Sequence, residues 1–315
     1  MIACYECHAA CAHCMYGCSP DLPPDYMTVE TAGYLCDKIL RLGCRSLHIG
    51  GGEPFLDPDN LALLIKTMDR GGVSVDYVET NAAWITEDAK RDRETLNKII
   101  KTGGNCIMVS ADLFHIEFIP FRKTKTLIDL LNRGGINHFI WQQRFLPVLE
   151  KLDPDKLYDR EALINELGYD AQAQCAREYG MGFNVRALKI IRRMGNRKPA
   201  SDFIIDKPCE NLLRANHFHV DLYGRYIPPG CTGMGIDIDD LGKPLDEEKY
   251  HVFSRLYSGG LKELYEYALS QGFEPDAKGY ASKCDLCFSI RKYFVKKDEA
   301  SYTDLVPNWY YYQDF

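Results

Sequence analysis

The chain has 315 residues, 46% of them hydrophobic, enough for one large core with a smaller appendage. Its 38 Lys and Arg stand against 45 Asp and Glu, a formal charge of −7 and the wrong sign for a surface that tracks phosphates, so no nucleic-acid partner is expected. The 13 cysteines, an odd number at metal-ligand spacings, fit a reducing cytoplasm better than a disulfide framework, and no apolar stretch approaches membrane-span length, so no membrane is expected.

Only Met1 to Glu6 precede the first motif, and Ile2 to Tyr5 read as the remnant of a first strand, vestigial or trimmed. Cys7-His8-Ala9-Ala10-Cys11-Ala12-His13-Cys14 follows. Three thiolates at x3 and x2 spacing on one short loop can face a single iron-sulfur cube. They leave one iron without the fourth Cys that a complete cluster takes, and so open to an exogenous ligand. A zinc knuckle or a group of reduced thiols is the plainer reading, and the triplet alone does not choose. From Thr28, a good N-cap, Val29, Ala32, Leu35, Cys36, Ile39 and Leu40 recur at helical spacing up to Gly43. Ser46 to Ile49 reads as a short buried strand that runs into Gly50-Gly51-Gly52-Glu53-Pro54. Glycines there admit close backbone approach and positive φ, Pro54 sets the exit, and the turn offers carbonyls and a carboxylate to a cationic group.

A helix over Leu61 to Met68, a strand over Val73 to Thr80, a helix around Glu87 to Thr102 and a strand over Cys106 to Ser110 continue the alternation. That pattern predicts α/β architecture with a parallel sheet, whose ligands sit at the C-terminal strand ends. The ends carry Glu79-Thr80-Asn81 and Ser110-Ala111-Asp112, with His115 just beyond. Past a helix through Leu127, Leu130 and Leu131 the periodicity loosens. Ile136 to Phe145 and a charged, helical stretch from Asp153 to Tyr179 form an insertion or an elaborated fifth unit, and Gly182 to Leu188 is the candidate late strand.

The Cys7, Cys11, Cys14 triplet followed by Gly-Gly-Glu-Pro resembles the signatures of radical S-adenosylmethionine (SAM) enzymes. The resemblance implies a partial, open (β/α)6 barrel over residues 1–205 and a 4Fe-4S cluster whose open iron takes the amino and carboxylate groups of SAM. It implies that Gly51, Gly52, Glu53 and Pro54 hold the SAM amino group. Asn81, Ser110 and Asp112 would bond its ribose or carboxylate, where ordinary turn chemistry is the alternative. His13 would pack on adenine, or be a solvated loop histidine. Arg186 would meet the SAM carboxylate, or be a salt-bridged surface arginine. One electron from a ferredoxin or flavodoxin would then cleave SAM to a 5'-deoxyadenosyl radical that takes an unactivated hydrogen from the substrate.

Beyond Lys207, Cys209, Cys231 and the C-x2-C pair Cys284 and Cys287 lie in an irregular region and together could close a second cluster, with zinc held by the same four cysteines as the alternative. Between the first two, His219 to Ile227 reads as a hairpin turning near Tyr223-Gly224. The arrangement resembles the auxiliary-cluster, or twitch, domain of radical SAM peptide-modifying enzymes and is assigned to residues 206–315. The runs Cys11 to Pro20 and Ser110 to His115, with the terminal C-x2-C, are similar to radical SAM peptide epimerases, which implies a ribosomally made peptide as substrate and a cysteine hydrogen donor. Those relatives can carry that cysteine beside an auxiliary ligand, but Cys231 is flanked by Gly230 and Thr232, so Cys18 is the substitute candidate, with an inert buried thiol, the more usual fate of a free cysteine, as the alternative. Cys36, Cys44, Cys106 and Cys175 are expected to be packing residues in helices or strands, and the aromatic tail Asn308 to Phe315 to pack on the protein. A small-molecule substrate, a two-cluster electron-transfer protein and a zinc-stabilised binding module are the other readings.

Overall fold

The computed structural model describes residues 1–179, 186–213 and 217–313, and these fall into two compact units. The first comprises Met1–Cys11, Cys18–Gly180 and Asp221–Gly224; the second comprises Ala12–Gly17, Met181–Val220 and Arg225–Phe315.

In the first unit four parallel strands, β1 (Ser46–Ile49), β2 (Ser74–Thr80), β3 (Cys106–Ser110) and β4 (Asn137–Trp141), lie in sequence order. Helices α1 (Val29–Arg41), α2 (Pro58–Arg70), α3 (Ala89–Lys101) and α4 (Phe121–Gly134) alternate with them. The result is the α/β arrangement of a partial barrel. The helices begin where side chains satisfy the first free amides: Thr28 accepts from Thr31 N, Asp57 from Asn60 N and Asp88 from Lys90 N. Their buried faces follow the 3.6 period, as with Leu61, Leu64, Ile65 and Met68 of α2. The N-terminal segment runs alongside the strand end: Ile2 bridges Gly50 in parallel, and Ala3 N donates to Gly50 O at 2.9 Å. Helices Arg160–Leu167 and Ala171–Glu178 form the charged stretch.

Four expectations change. β1 is an edge strand, not a buried one, because Ser46 is exposed and only Ile49 is fully covered. β4 is a full member of the sheet. The candidate late strand is not one at its end: Ala187 and Leu188 open the helix Ala187–Met194, whose apolar residues recur at helical spacing, while Gly182 to Val185 lie outside the described residues. Cys44 sits in the loop before β1, whereas Cys36, Cys106 and Cys175 are in α1, β3 and the helix Ala171–Glu178.

The second unit contains a three-stranded antiparallel sheet, β5 (His219–Val220), β6 (Arg225–Ile227) and β7 (Ile236–Asp237), in which β5 and β6 are the expected hairpin arms. Helices His251–Ser258, Gly260–Ser270 and Lys283–Asp298 follow. The aromatic tail packs within this unit: Tyr310 and Tyr311 are buried and Tyr310 OH donates to Met15 O at 3.0 Å. No helix among the described residues is long and apolar enough to cross a membrane.

Candidate functional site

In the first unit the glycine turn is built by backbone packing. Gly52 N donates to Cys4 O at 2.8 Å and Glu53 N to Glu6 O at 3.1 Å. A Cβ on Gly52 would collide with the Glu6 carbonyl, and Gly51 has φ 130° with Cys4 O facing its Cβ position. These glycines let residues 4–6, immediately before the cysteine loop, lie flat on the strand end. Pro54 starts a buried helical turn and its carbonyl accepts from Tyr26 OH at 2.9 Å.

Glu53 is fully buried, and its carboxylate faces the neighbouring strand end. Oε1 accepts from Thr80 OH at 2.9 Å and from Phe55 N at 3.1 Å, and Oε2 accepts from Asn81 N at 2.7 Å. Burial pushes its pKa up to about 7, against those hydrogen bonds. Thus clamped, the end of β2 presents Asn81, whose Nδ2 donates to Cys7 Sγ at 3.3 Å, and Ala82 takes the left-handed conformation at φ 66°. The end of β3 does the same for the second cysteine. Asp112, fully buried, accepts from the amides of Phe114 (2.8 Å) and His115 (3.0 Å) and holds His115 Nδ1 at 2.7 Å, and the same imidazole is within hydrogen-bonding reach of Cys11. Burial disfavours a charged His115, but Asp112 and Cys11 outweigh it and raise its pKa well above the usual value.

Cys7 and Cys11 are buried, and each has a nitrogen donor from a strand end beside it, which suits thiolates that carry metal and need N–H partners at sulfur. Cys14 and His13, both half-buried, and the buried Arg186 belong to the second unit. Arg186 is therefore not a surface residue. Ser110 is half-buried at the end of β3, and Cys18 is 1% exposed in the first unit. A recess of about 270 Å³ opens beyond the ends of β1 and β2, lined by His8, Phe55, Ala83, Trp84 and Lys123, with the Phe55 and Trp84 rings stacked 4.7 Å apart.

The second unit gathers Cys209, Cys231, Cys284 and Cys287 around one cavity of about 60 Å³. Cys284 and Cys287 occupy the first turns of the helix Lys283–Asp298, which Ser282 caps by accepting from Asp285 N; the helix N-terminus favours thiolates there, but burial outweighs it and raises the pKa of both. The hydrogen bond between Cys231 and Cys209 draws Cys209 toward the thiolate and holds Cys231 protonated, and burial pushes Cys287 up to about 11. Metal binding, which requires thiolates, would relieve this.

Arg291 borders the same cavity. It is 2% exposed, its Nη1 donates to Thr232 O (3.0 Å) and Tyr311 OH (3.2 Å), its guanidinium is also within hydrogen-bonding reach of Cys287, and its Nε is buried with no hydrogen-bond partner among the described residues. Burial opposes its charge, but nearby tyrosines and thiols push its pKa up, and the guanidinium, intrinsically strongly basic, stays protonated. A buried cation with a donor to spare, beside four thiols, fits an anionic sulfur-ligated group. Thr80 stands at a polar strand end without a role that the sequence assigns, and Arg291 lies outside the motifs, but it falls seven residues after Cys284 and four after Cys287, which on a helix is the same face.

Residues 1–140 match the family model of the radical SAM superfamily. A search of curated proteins found no relative. Among solved structures the chain is similar to SuiB of Streptococcus suis bound to precursor peptide SuiA, at 12% identity and a TM-score of 0.35, over 96% of this chain and 73% of that one.

Proposed function

We propose that this chain, which residues 1–140 make a member of the radical SAM superfamily and hence an enzyme of that class, modifies a ribosomally made peptide and uses a second iron-sulfur site in doing so. Family membership implies a 4Fe-4S cluster and SAM. When bound and reduced by one electron, from a ferredoxin or flavodoxin in this reading, they supply a 5'-deoxyadenosyl radical that abstracts a substrate hydrogen.

Cys7, Cys11 and Cys14 would hold the first cluster. The observation that carries this is the placing of Asn81 Nδ2 on Cys7 and His115 on Cys11 by two adjacent parallel strand ends, with Glu53 fixing the first. Gly51, Gly52 and Pro54 shape the turn that would meet the SAM amino group, and His13, Ser110, Asp112 and Arg186 are the further candidates for SAM. Cys209, Cys231, Cys284 and Cys287, around one cavity, would hold a second 4Fe-4S cluster in an auxiliary domain over residues 206–315. The peptide substrate rests on the likeness of Cys11 to Pro20, Ser110 to His115 and the C-x2-C pair to peptide epimerases. For an epimerisation outcome Cys18 is the candidate hydrogen donor.

Anaerobic reconstitution with iron counting and a 5'-deoxyadenosine assay tests this. Cys11→Ser should keep about half of the wild-type iron and lose 5'-deoxyadenosine at least a hundredfold, whereas a Cys284→Ser, Cys287→Ser double variant should lose the other half. Deuterium passing from a labelled peptide into 5'-deoxyadenosine would identify the substrate class. Wild-type protein that binds iron yet never yields 5'-deoxyadenosine under dithionite would instead favour electron transfer.

A further inference from the structure

We propose that Arg291 sets the reduction potential of the second cluster, with its Nε–H donating to a cluster sulfur and its charge stabilising the reduced state. This rests on the reading that Cys209, Cys231, Cys284 and Cys287 hold that cluster. Three observations carry it. Arg291 borders the cavity that all four thiols line. It shares their helix face, at i+7 from Cys284 and i+4 from Cys287, so the spacing that presents the C-x2-C pair also presents the guanidinium. It is also fixed: Thr232 O and Tyr311 OH engage Nη1, and the Phe288 and Tyr311 rings flank the guanidinium at 5.6 and 5.8 Å. Burying a cation and leaving one of its donors unmatched is costly unless an anion completes the set. A cluster ligated by four thiolates is that anion, and hydrogen bonds to its sulfurs and nearby charge are among the levers that set its potential.

Reduction adds one negative charge, so a fixed neighbouring cation favours the reduced form and its removal must lower the potential. Lys283 also lines the cavity, but it is exposed and water screens it. The experiment is an EPR-monitored redox titration of the anaerobically reconstituted full chain in a Cys11→Ser background, which isolates the second cluster. Arg291→Gln should lower the ratio of reduced to oxidised cluster at fixed potential about tenfold, equivalent to about 59 mV for a one-electron couple. Arg291→Lys, which keeps the charge and loses Nε–H, should fall between, and Lys283→Gln should change the ratio less than either.

If the Cys11→Ser protein binds no iron, the second-cluster reading fails and this proposal with it. If it binds iron and Arg291→Gln titrates like its parent, the reading stands and the role of Arg291 is wrong. Should Arg291→Gln refuse iron, Arg291→Lys decides: a lowered potential supports the proposal and an unchanged one overturns it.

Discussion

The two cysteine sites are held by different physics. In the first unit, Cys7 and Cys11 follow a segment laid against a strand end by backbone hydrogen bonds, and their sulfurs meet donors from Asn81 and His115 that the ends of β2 and β3 position. In the second, the thiols share a cavity with the permanent charge of Arg291, and the helix carrying two of them is anchored by Asp285, which is 1% exposed and paired with Arg192 at 2.7 and 3.0 Å. In the proposed reading, the loop that would leave one metal position for a cofactor is met by side-chain donors on separate strands, whereas the closed four-cysteine site would take a fixed counter-charge. The first arrangement should be most sensitive to backbone sterics and the second to charge.

The largest effect tests the first half of that contrast. Gly52→Ala places a methyl group against the Glu6 carbonyl, where neither backbone can yield without lifting residues 4–6 off the strand end. It should cost about 3 kcal/mol of stability, the upper end for overpacking. It should also abolish iron at the first site while the second loads normally, with 5'-deoxyadenosine falling about a hundredfold, that is by about 2.7 kcal/mol of barrier. Full iron content and turnover in this variant would show that the segment is not held as described.

The matching test in the second unit is Asp285→Asn, which keeps the shape and removes the charge that Arg192 faces. Asp285 also accepts from Ala281 N at 2.9 Å, ahead of the capping Ser282, so the start of the helix should loosen as well. Removing one partner of a mostly buried pair should cost about 3 kcal/mol, the low end of the range because Arg192 is partly exposed. The urea midpoint of the metal-free protein should drop with an unchanged slope, and a drop below about 0.5 kcal/mol would mean that packing, not charge, anchors this helix.

What the sequence disclosed follows the same divide. β1 to β3 and the helices between them were readable because apolar period, the Thr28 cap and terminal glycines such as Gly43 agreed, although the second helix starts at Pro58, ahead of the expected Leu61. β4 was not, because Phe139 and Trp141 are exposed and its burial does not mark a core strand. The residues 182–188 were read as a strand because the Val-Arg-Ala-Leu run looks extended, but helical spacing begins at Ala187 and tertiary packing follows that. Motif spacing marked the cysteines well, since ligand chemistry is local in sequence. The donors that meet them were only partly visible: Asn81 and Asp112 stood out as polar strand ends, while the task of Glu53 as a clamp on β2 depends on a neighbour 27 residues away.

The smallest predicted effect is the sharpest test of the comparison, because it sets one neutral donor against one buried cation. Asn81 Nδ2 gives Cys7 a single hydrogen bond, and such a bond to sulfur should be worth about 0.7 kcal/mol, or about threefold in the ratio of reduced to oxidised cluster. Asn81→Ala in the Cys284→Ser, Cys287→Ser background, titrated without SAM, isolates that contribution. Its main chain still donates to Glu53, so the strand end should keep its course and iron content should match the parent. The ratio should fall by about threefold, clearly less than the tenfold expected of Arg291→Gln at the other site. A shift at Asn81 equal to or larger than that at Arg291 would erase the distinction between a neutral donor and a fixed charge, and would place the stronger electrostatic control on the first proposed cluster instead of the second.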